Sequence, residues 1–177
     1  NVKYSVENTR VEQKTDFEKL ILDGFQAGLS WITILRKRNN FRAAFDGFEP
    51  EIIAQYTEKD IQRCLNDAGI IRHRGKIEAT IGNAQAFLNL RNAGQEFNDF
   101  CWRFVDGKPV INNFKTTQEI PTQNDVSQNL SKALKQAGFK FCGPVIVYAF
   151  MQAVGMVNDH LVDCPQYEKC KNLAENL

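Results

Sequence analysis

Apolar residues recur at helical spacing along almost the whole chain, and this limits the possible folds more than any other feature. Phe17, Leu20 and Ile21 are followed by Trp31, Ile34, Leu35, Phe41 and Phe45. Further on, Ile77, Ile81, Ala84, Phe87 and Leu88 repeat the pattern. Three-and-four spacing lays an apolar stripe along one side of a helix, which must then pack on another helix. Alternating patterns that would mark strands are absent, so the expected class is all-α with a bundle-like arrangement.

Local punctuation divides this pattern into segments. Asp46-Gly47 reads as a turn, Pro50 suits the first turn of a helix, and Thr57 with Asp60 three residues on resembles a capping box opening a short helix at about 58–67. Gly69 ends that helix, and Gly94 ends the longer one that follows. Across 106–124 the periodicity fails. Gly107, Pro109, Asn112, Asn113 and Pro121 make a connecting loop there, the one place where a single helical domain would divide into two lobes. Beyond it come one helix ending at Gly138, another beginning at Pro144, and a helical or frayed tail at 166–177.

With 177 residues, 43% of them hydrophobic, the chain can bury one substantial core. Twenty-two Lys and Arg against twenty-one Asp and Glu leave a net charge of +1. Such a balance provides no global field toward nucleic acid, so DNA binding would need a local patch. The five cysteines are odd in number and widely spread, which favours a reduced compartment over a disulfide framework. The longest apolar run, 145–151, falls far short of the roughly 20 residues of a spanning helix. A soluble, cytoplasmic monomer without a leader is expected. The chain opens on Asn1 and not on methionine, which suggests further residues upstream.

Between the last two helices lies Gly138-Phe139-Lys140-Phe141-Cys142-Gly143-Pro144. A short turn of this kind exposes backbone amides, its glycines allow close approach of a phosphate, and the following helix N-terminus adds partial positive charge. Lys132, Lys135 and Lys140 add charge beside it. The alternative is an αα-turn whose Phe139 and Phe141 plug the core.

The run Asp23-Gly24-Phe25-Gln26-Ala27-Gly28-Leu29-Ser30-Trp31-Ile32-Thr33-Ile34-Leu35 resembles the signature segment of the 3-methyladenine DNA glycosylase I family. The resemblance continues through Asp67-Ala68-Gly69-Ile70-Ile71-Arg72-His73-Arg74-Gly75-Lys76-Ile77, through Leu130-Ser131-Lys132-Ala133-Leu134 and the Gly138 to Gly143 turn, to Val157-Asn158-Asp159-His160. It implies a bundle-like glycosylase fold with a helix-hairpin-helix motif. The activity implied is base excision from double-stranded alkylated DNA. The enzyme flips out 3-methyladenine and hydrolyses its N-glycosidic bond, with no lyase step. A catalytically silent DNA-binding relative is the alternative.

By this resemblance Trp31 stacks on the extruded base. Asp23 stands where many members carry a glutamate that reads the exocyclic amine, and it is shorter by one carbon–carbon bond of about 1.5 Å. Gln26 and Leu29 are candidates to enter the gap left by the flipped nucleotide. Gly138, Lys140 and Gly143 are the candidate DNA contacts of the hairpin. Arg36, Lys37, Arg38, Arg72, His73, Arg74 and Lys76 are candidate phosphate contacts or solvated helix faces. Asp159 and Asp163 occupy the region where related glycosylases place a catalytic aspartate that this family lacks, so a cap or turn role is expected of them.

The family also implies a structural zinc. His160 and Cys164 match the C-terminal half of its site, whereas 1–14 contain neither the Cys nor the His of the other half. Truncation, divergence and substitution by Cys170 all remain open as explanations.

Overall fold

The structure is a computed structural model and describes residues 13–175. Its helices are α1 (Gln13–Gln26), α2 (Trp31–Ala44), α3 (Pro50–Ile53), α4 (Glu58–Asn66), α5 (Arg74–Asn92), α6 (Phe97–Trp102), α7 (Asp125–Gln136), α8 (Pro144–Ala153) and α9 (Pro165–Glu175). The expected punctuation operates in detail. Thr57 and Asp60 form a capping box on α4, and Pro50 and Pro144 open α3 and α8. Gly94, at φ +78°, follows α5, where its amide and that of Gln95 close on the Arg91 and Leu90 carbonyls.

The centre of the fold is α1, which touches α2, α5, α6 and α8. Every residue from 16 to 25 is buried. A helix enclosed on all sides is ordinarily apolar throughout, yet α1 carries Asp16, Glu18, Lys19 and Asp23 inside. Each of these must find a partner or lose its charge, because an isolated ion in a low-dielectric interior is very costly. Glu18 is held by Arg38 at 2.7 Å and Arg42 at 2.9 Å, both on α2. Lys19 and Asp23 pair with each other one turn apart. Asp16 gains no such partner among the described residues, and burial pushes its carboxyl up to about 7. Around these groups Phe25 packs on Phe41 with ring centroids 4.7 Å apart, and Phe17 packs on Phe87 at 5.2 Å.

The all-α class holds, with one short addition in the second half: β1 (Val110–Ile111) pairs in parallel with β2 (Val157–Asn158). Two-residue strands are too short to show alternation in sequence. Their pairing ties 106–124 to the segment after α8, with the Val110 amide donating to the Met156 carbonyl at 2.9 Å. The same segment holds a 3₁₀ turn at Thr117–Glu119 with its own capping box.

Candidate active site

The end of α1 and the start of α2 are joined by a tight turn, in which Gly28 adopts φ +81°. The Gln26 side-chain amide donates to the Leu29 carbonyl at 2.7 Å, and the Leu29 amide returns to the Gln26 carbonyl at the same distance. Gln26 is therefore engaged in shaping this turn, while Leu29 projects from it exposed. From below, the Lys76 ammonium on α5 donates to the carbonyls of Phe25 at 2.9 Å and Ala27 at 2.8 Å. A lysine that caps the last carbonyls of a helix both satisfies them and complements the helix dipole. Ser30 is the N-cap of α2, so Trp31 becomes the first residue of that helix and stays 36% exposed.

Asp23 lies beneath, 2% exposed. Its Oδ1 accepts a hydrogen bond from Lys19 Nζ. The other oxygen, Oδ2, is buried without a hydrogen-bond partner among the described residues. A buried acceptor in that condition carries a desolvation cost of about 1–3 kcal/mol. Burial raises the Asp23 carboxyl above the usual carboxylate range and lowers the Lys19 ammonium below its own, and each group's charge opposes the other's shift. Lys19 Nζ also stands 4.4 Å from the centre of the Trp31 ring, within cation–π range. One ammonium thus bridges the carboxylate and the indole. Beside it, Lys19, Leu22, Trp31, Ile34, Leu35 and Arg38 line a hollow whose free volume of about 10 Å³ admits roughly one water.

Sequence reasoning singled out Asp23 and Trp31 but missed Lys19. A signal was available, since Lys19 lies four residues before Asp23, a spacing that puts two opposite charges on one helix face.

The hairpin between α7 and α8 is built as a defined turn. Gly138 sits at φ +99°, its amide reaches the Lys135 carbonyl, and the Phe139 amide reaches the Leu134 carbonyl, both at 3.0 Å. This doubly bonded helix end requires a left-handed residue. Asn83 of α5 then grips Lys140, accepting from its amide at 2.7 Å and donating to its carbonyl at 3.1 Å. Gly143 has an ordinary φ of −63° as N-cap of α8, so it needs no glycine freedom. Phe139 enters the core at 2% exposure, whereas Phe141 stands out at 41% with φ +53°. Only one of the two aromatic residues plugs the core. Lys132, Lys135 and Lys140 are exposed around this turn.

Several candidate phosphate contacts are engaged internally. Lys37 donates to the Ala68 and Gly69 carbonyls at 3.0 and 3.1 Å. Arg74 pairs with Glu58 and Glu78, and His73 Nδ1 accepts the Lys76 amide as N-cap of α5. Arg36 and Arg72 stay exposed. Asp159 accepts from Asn112, Tyr148 and Gln152 at 2.7–2.8 Å, joining α8 to the β1 segment.

His160 Nδ1 and Cys164 Sγ lie 3.9 Å apart. Two ligands of one tetrahedral zinc would be about 3.6 Å apart, given bonds near 2.1 and 2.3 Å. The pair therefore fits half a site. Among the described residues no group of three or more His, Cys, Asp or Glu could hold a metal, so a closed zinc site is not formed by them. The N-terminal stretch 1–12 lies outside the described residues.

The fold is helical apart from one short strand pair, and the end of α1 and start of α2 set a buried carboxylate, an ammonium and an exposed indole side by side. The chain belongs to the methyladenine glycosylase family, whose sequence profile matches residues 6–167. It is 53% identical over 156 residues to DNA-3-methyladenine glycosylase 1 of Escherichia coli (strain K12), covering 88% of this chain and 83% of that one. Among solved structures, a crystal structure of 3-methyladenine DNA glycosylase I is 51% identical with a TM-score of 0.86, covering 88% of this chain and 86% of that one. A variant of 3-methyladenine DNA glycosylase I in complex with 3-methyladenine is 42% identical with a TM-score of 0.85, covering 88% and 84%.

Proposed function

We propose that this protein is a DNA-3-methyladenine glycosylase that hydrolyses the N-glycosidic bond of 3-methyladenine in alkylated double-stranded DNA. The observation that carries the reading is Oδ2 of Asp23, which has no hydrogen-bond partner among the described residues and is held buried next to a cation that also touches Trp31. N3-methylation makes the adenine cationic and leaves it an amine donor. A base flipped out of the duplex would offer that donor to Asp23 and its charged face to Trp31. Water adds to C1′ as the C1′–N9 bond breaks, the electron pair goes to N9 and neutralises the departing base, and the added water loses one proton to solvent. Such a leaving group needs little chemical help, so selective binding does much of the work. Release of the base without strand cleavage is the expected reaction.

The exposed lysines and glycine-built turn between α7 and α8 support a phosphate-gripping role there. Leu29 and Ile32, close to Trp31 in sequence, are both exposed and suit contact with the opened duplex. A structural zinc would need ligands from beyond the described residues to join His160 and Cys164, and the metal content of the purified protein tests it. Incubation with methylated duplex DNA and chromatography of the released bases tests the activity. Free 3-methyladenine is expected. Duplex binding with no base released would instead indicate a catalytically silent relative.

A further inference from the structure

The carboxylate and the indole that would receive the base are already bridged by a third side chain. We propose that Lys19 is the resting occupant of the base slot, and that a flipped base enters by displacing its ammonium from between Asp23 and Trp31. This inference rests on the reading of the slot given above.

The geometry supports it in three ways. Lys19 Nζ bonds to Asp23 Oδ1 and stands 4.4 Å from the Trp31 ring centre, so one ammonium engages both groups at once. The hollow beside Trp31 has room for roughly one water, and a purine occupies several times that volume. Of the three residues, Lys19 is the one with a long, flexible stem that can carry its charge out to solvent. Asp23 is short and fixed on a helix enclosed on every side.

The exchange also balances energetically. A buried ion pair tends to break even against its own desolvation, so its rupture is tolerable when another cation takes the vacated place. A cationic base restores the charge balance at Asp23, whereas a neutral purine does not. Once the glycosidic bond has broken, the base has lost its charge, and return of Lys19 favours its departure. Lys19 would then act twice, as a gate against uncharged bases and as a competitor of the product.

Two measurements on the full chain test this. Reductive methylation with formaldehyde and a borohydride, read by mass spectrometry, should modify Lys19 poorly in the free protein. Saturating 3-methyladenine should raise that modification at least fivefold. Unchanged or reduced modification of Lys19 would overturn the displacement. In the second measurement, Lys19→Met should bind free 3-methyladenine at least tenfold more tightly than wild type, while Lys19→Arg should not. A folded Lys19→Met protein with equal or weaker affinity would also overturn it. If wild type releases 3-methyladenine from DNA while these results go the wrong way, only the displacement falls. A wild type that neither binds nor releases the base removes the slot reading as well.

Discussion

Lys76 reaches from α5 to the Phe25 carbonyl at 2.9 Å and so closes the end of the helix that bears Asp23. The same ammonium holds Ala27 at 2.8 Å, which fixes the path of the turn leading to Trp31. Hydrogen bonds from a charged donor contribute about 1.5–3 kcal/mol each. Lys76→Met is therefore expected to lower unfolding free energy by about 2–4 kcal/mol in urea titrations. It should also lower kcat/KM for base release, because Trp31 loses its mooring. In a Trp31→Ala background the same substitution should cost much less activity, and a double-mutant cycle measures that coupling. Fully additive losses would argue that Lys76 serves stability alone.

Asp16 leads to a prediction about pH. Its buried carboxyl titrates at about 7, above its value in an unfolded chain. Between roughly pH 4 and 7 the unfolded state has released this proton while the folded state keeps it. The Asp16 contribution to stability therefore falls as pH rises through that window, and it levels off above about 7. The shift from 3.8 to about 7 corresponds to roughly 4 kcal/mol as an upper figure. Asp16→Asn removes this contribution. Its stability relative to wild type should rise steadily from pH 4 to pH 7, as measured by denaturant titration at each pH. A difference independent of pH would show that Asp16 is ionised in the folded protein.

Much of this architecture was legible in the sequence because the determinants are local. Thr57 and Asp60 announce a helix start through a reciprocal bond between residues three apart, and Gly94 and Gly138 announce ends that need a left-handed residue. The parallel pairing of Val110 with Val157 was not legible, since two residues carry no periodicity and their partners are far apart in sequence. The site divides in the same way. The motif marked Asp23 and Trp31, but the engagement of Lys19 with both depends on how α1 packs beneath the start of α2. The run Arg36, Lys37 and Arg38 could be read as phosphate contacts or as a solvated face, yet Arg38 pairs with the buried Glu18, which also draws the exposed Arg42 to it. In Phe139-Lys140-Phe141, sequence pattern could not separate the buried aromatic from the exposed one. Phe141 adopts φ +53°, and that reversal sends it outward.

Opposite patterns are expected from substitution of the two proposed base contacts. Trp31 is 36% exposed, so Trp31→Ala should lower the melting temperature much less than Asp23→Asn does. Loss of stacking worth about 1–3 kcal/mol should lower kcat/KM between fivefold and about 150-fold. Asp23→Asn strands the buried Lys19, and removal of one partner of such a pair costs about 3–5 kcal/mol of stability. The double variant Lys19→Met/Asp23→Asn should regain most of that stability and none of the activity. Recovery of both would mean that Asp23 matters only as the partner of Lys19.

The two glycines of the α7–α8 turn should respond differently to the same change, and that difference separates folding from binding. Gly138 is at φ +99°, and an added Cβ would lie 3.5 Å from the Ala86 Cβ, an ordinary contact. The cost of Gly138→Ala is thus one of backbone conformation, about 1–2 kcal/mol of stability. Gly143 is at φ −63°, and an added Cβ would meet nothing within 4 Å. Gly143→Ala should therefore leave stability within about 0.5 kcal/mol of wild type, the usual range for a harmless surface change. If the turn grips a phosphate, that methyl group obstructs the approach to the start of α8, and affinity for duplex DNA at low salt should fall several-fold without any change in melting temperature. Unchanged affinity for DNA in Gly143→Ala would place the phosphate contact elsewhere on the exposed face around Lys132, Lys135 and Lys140.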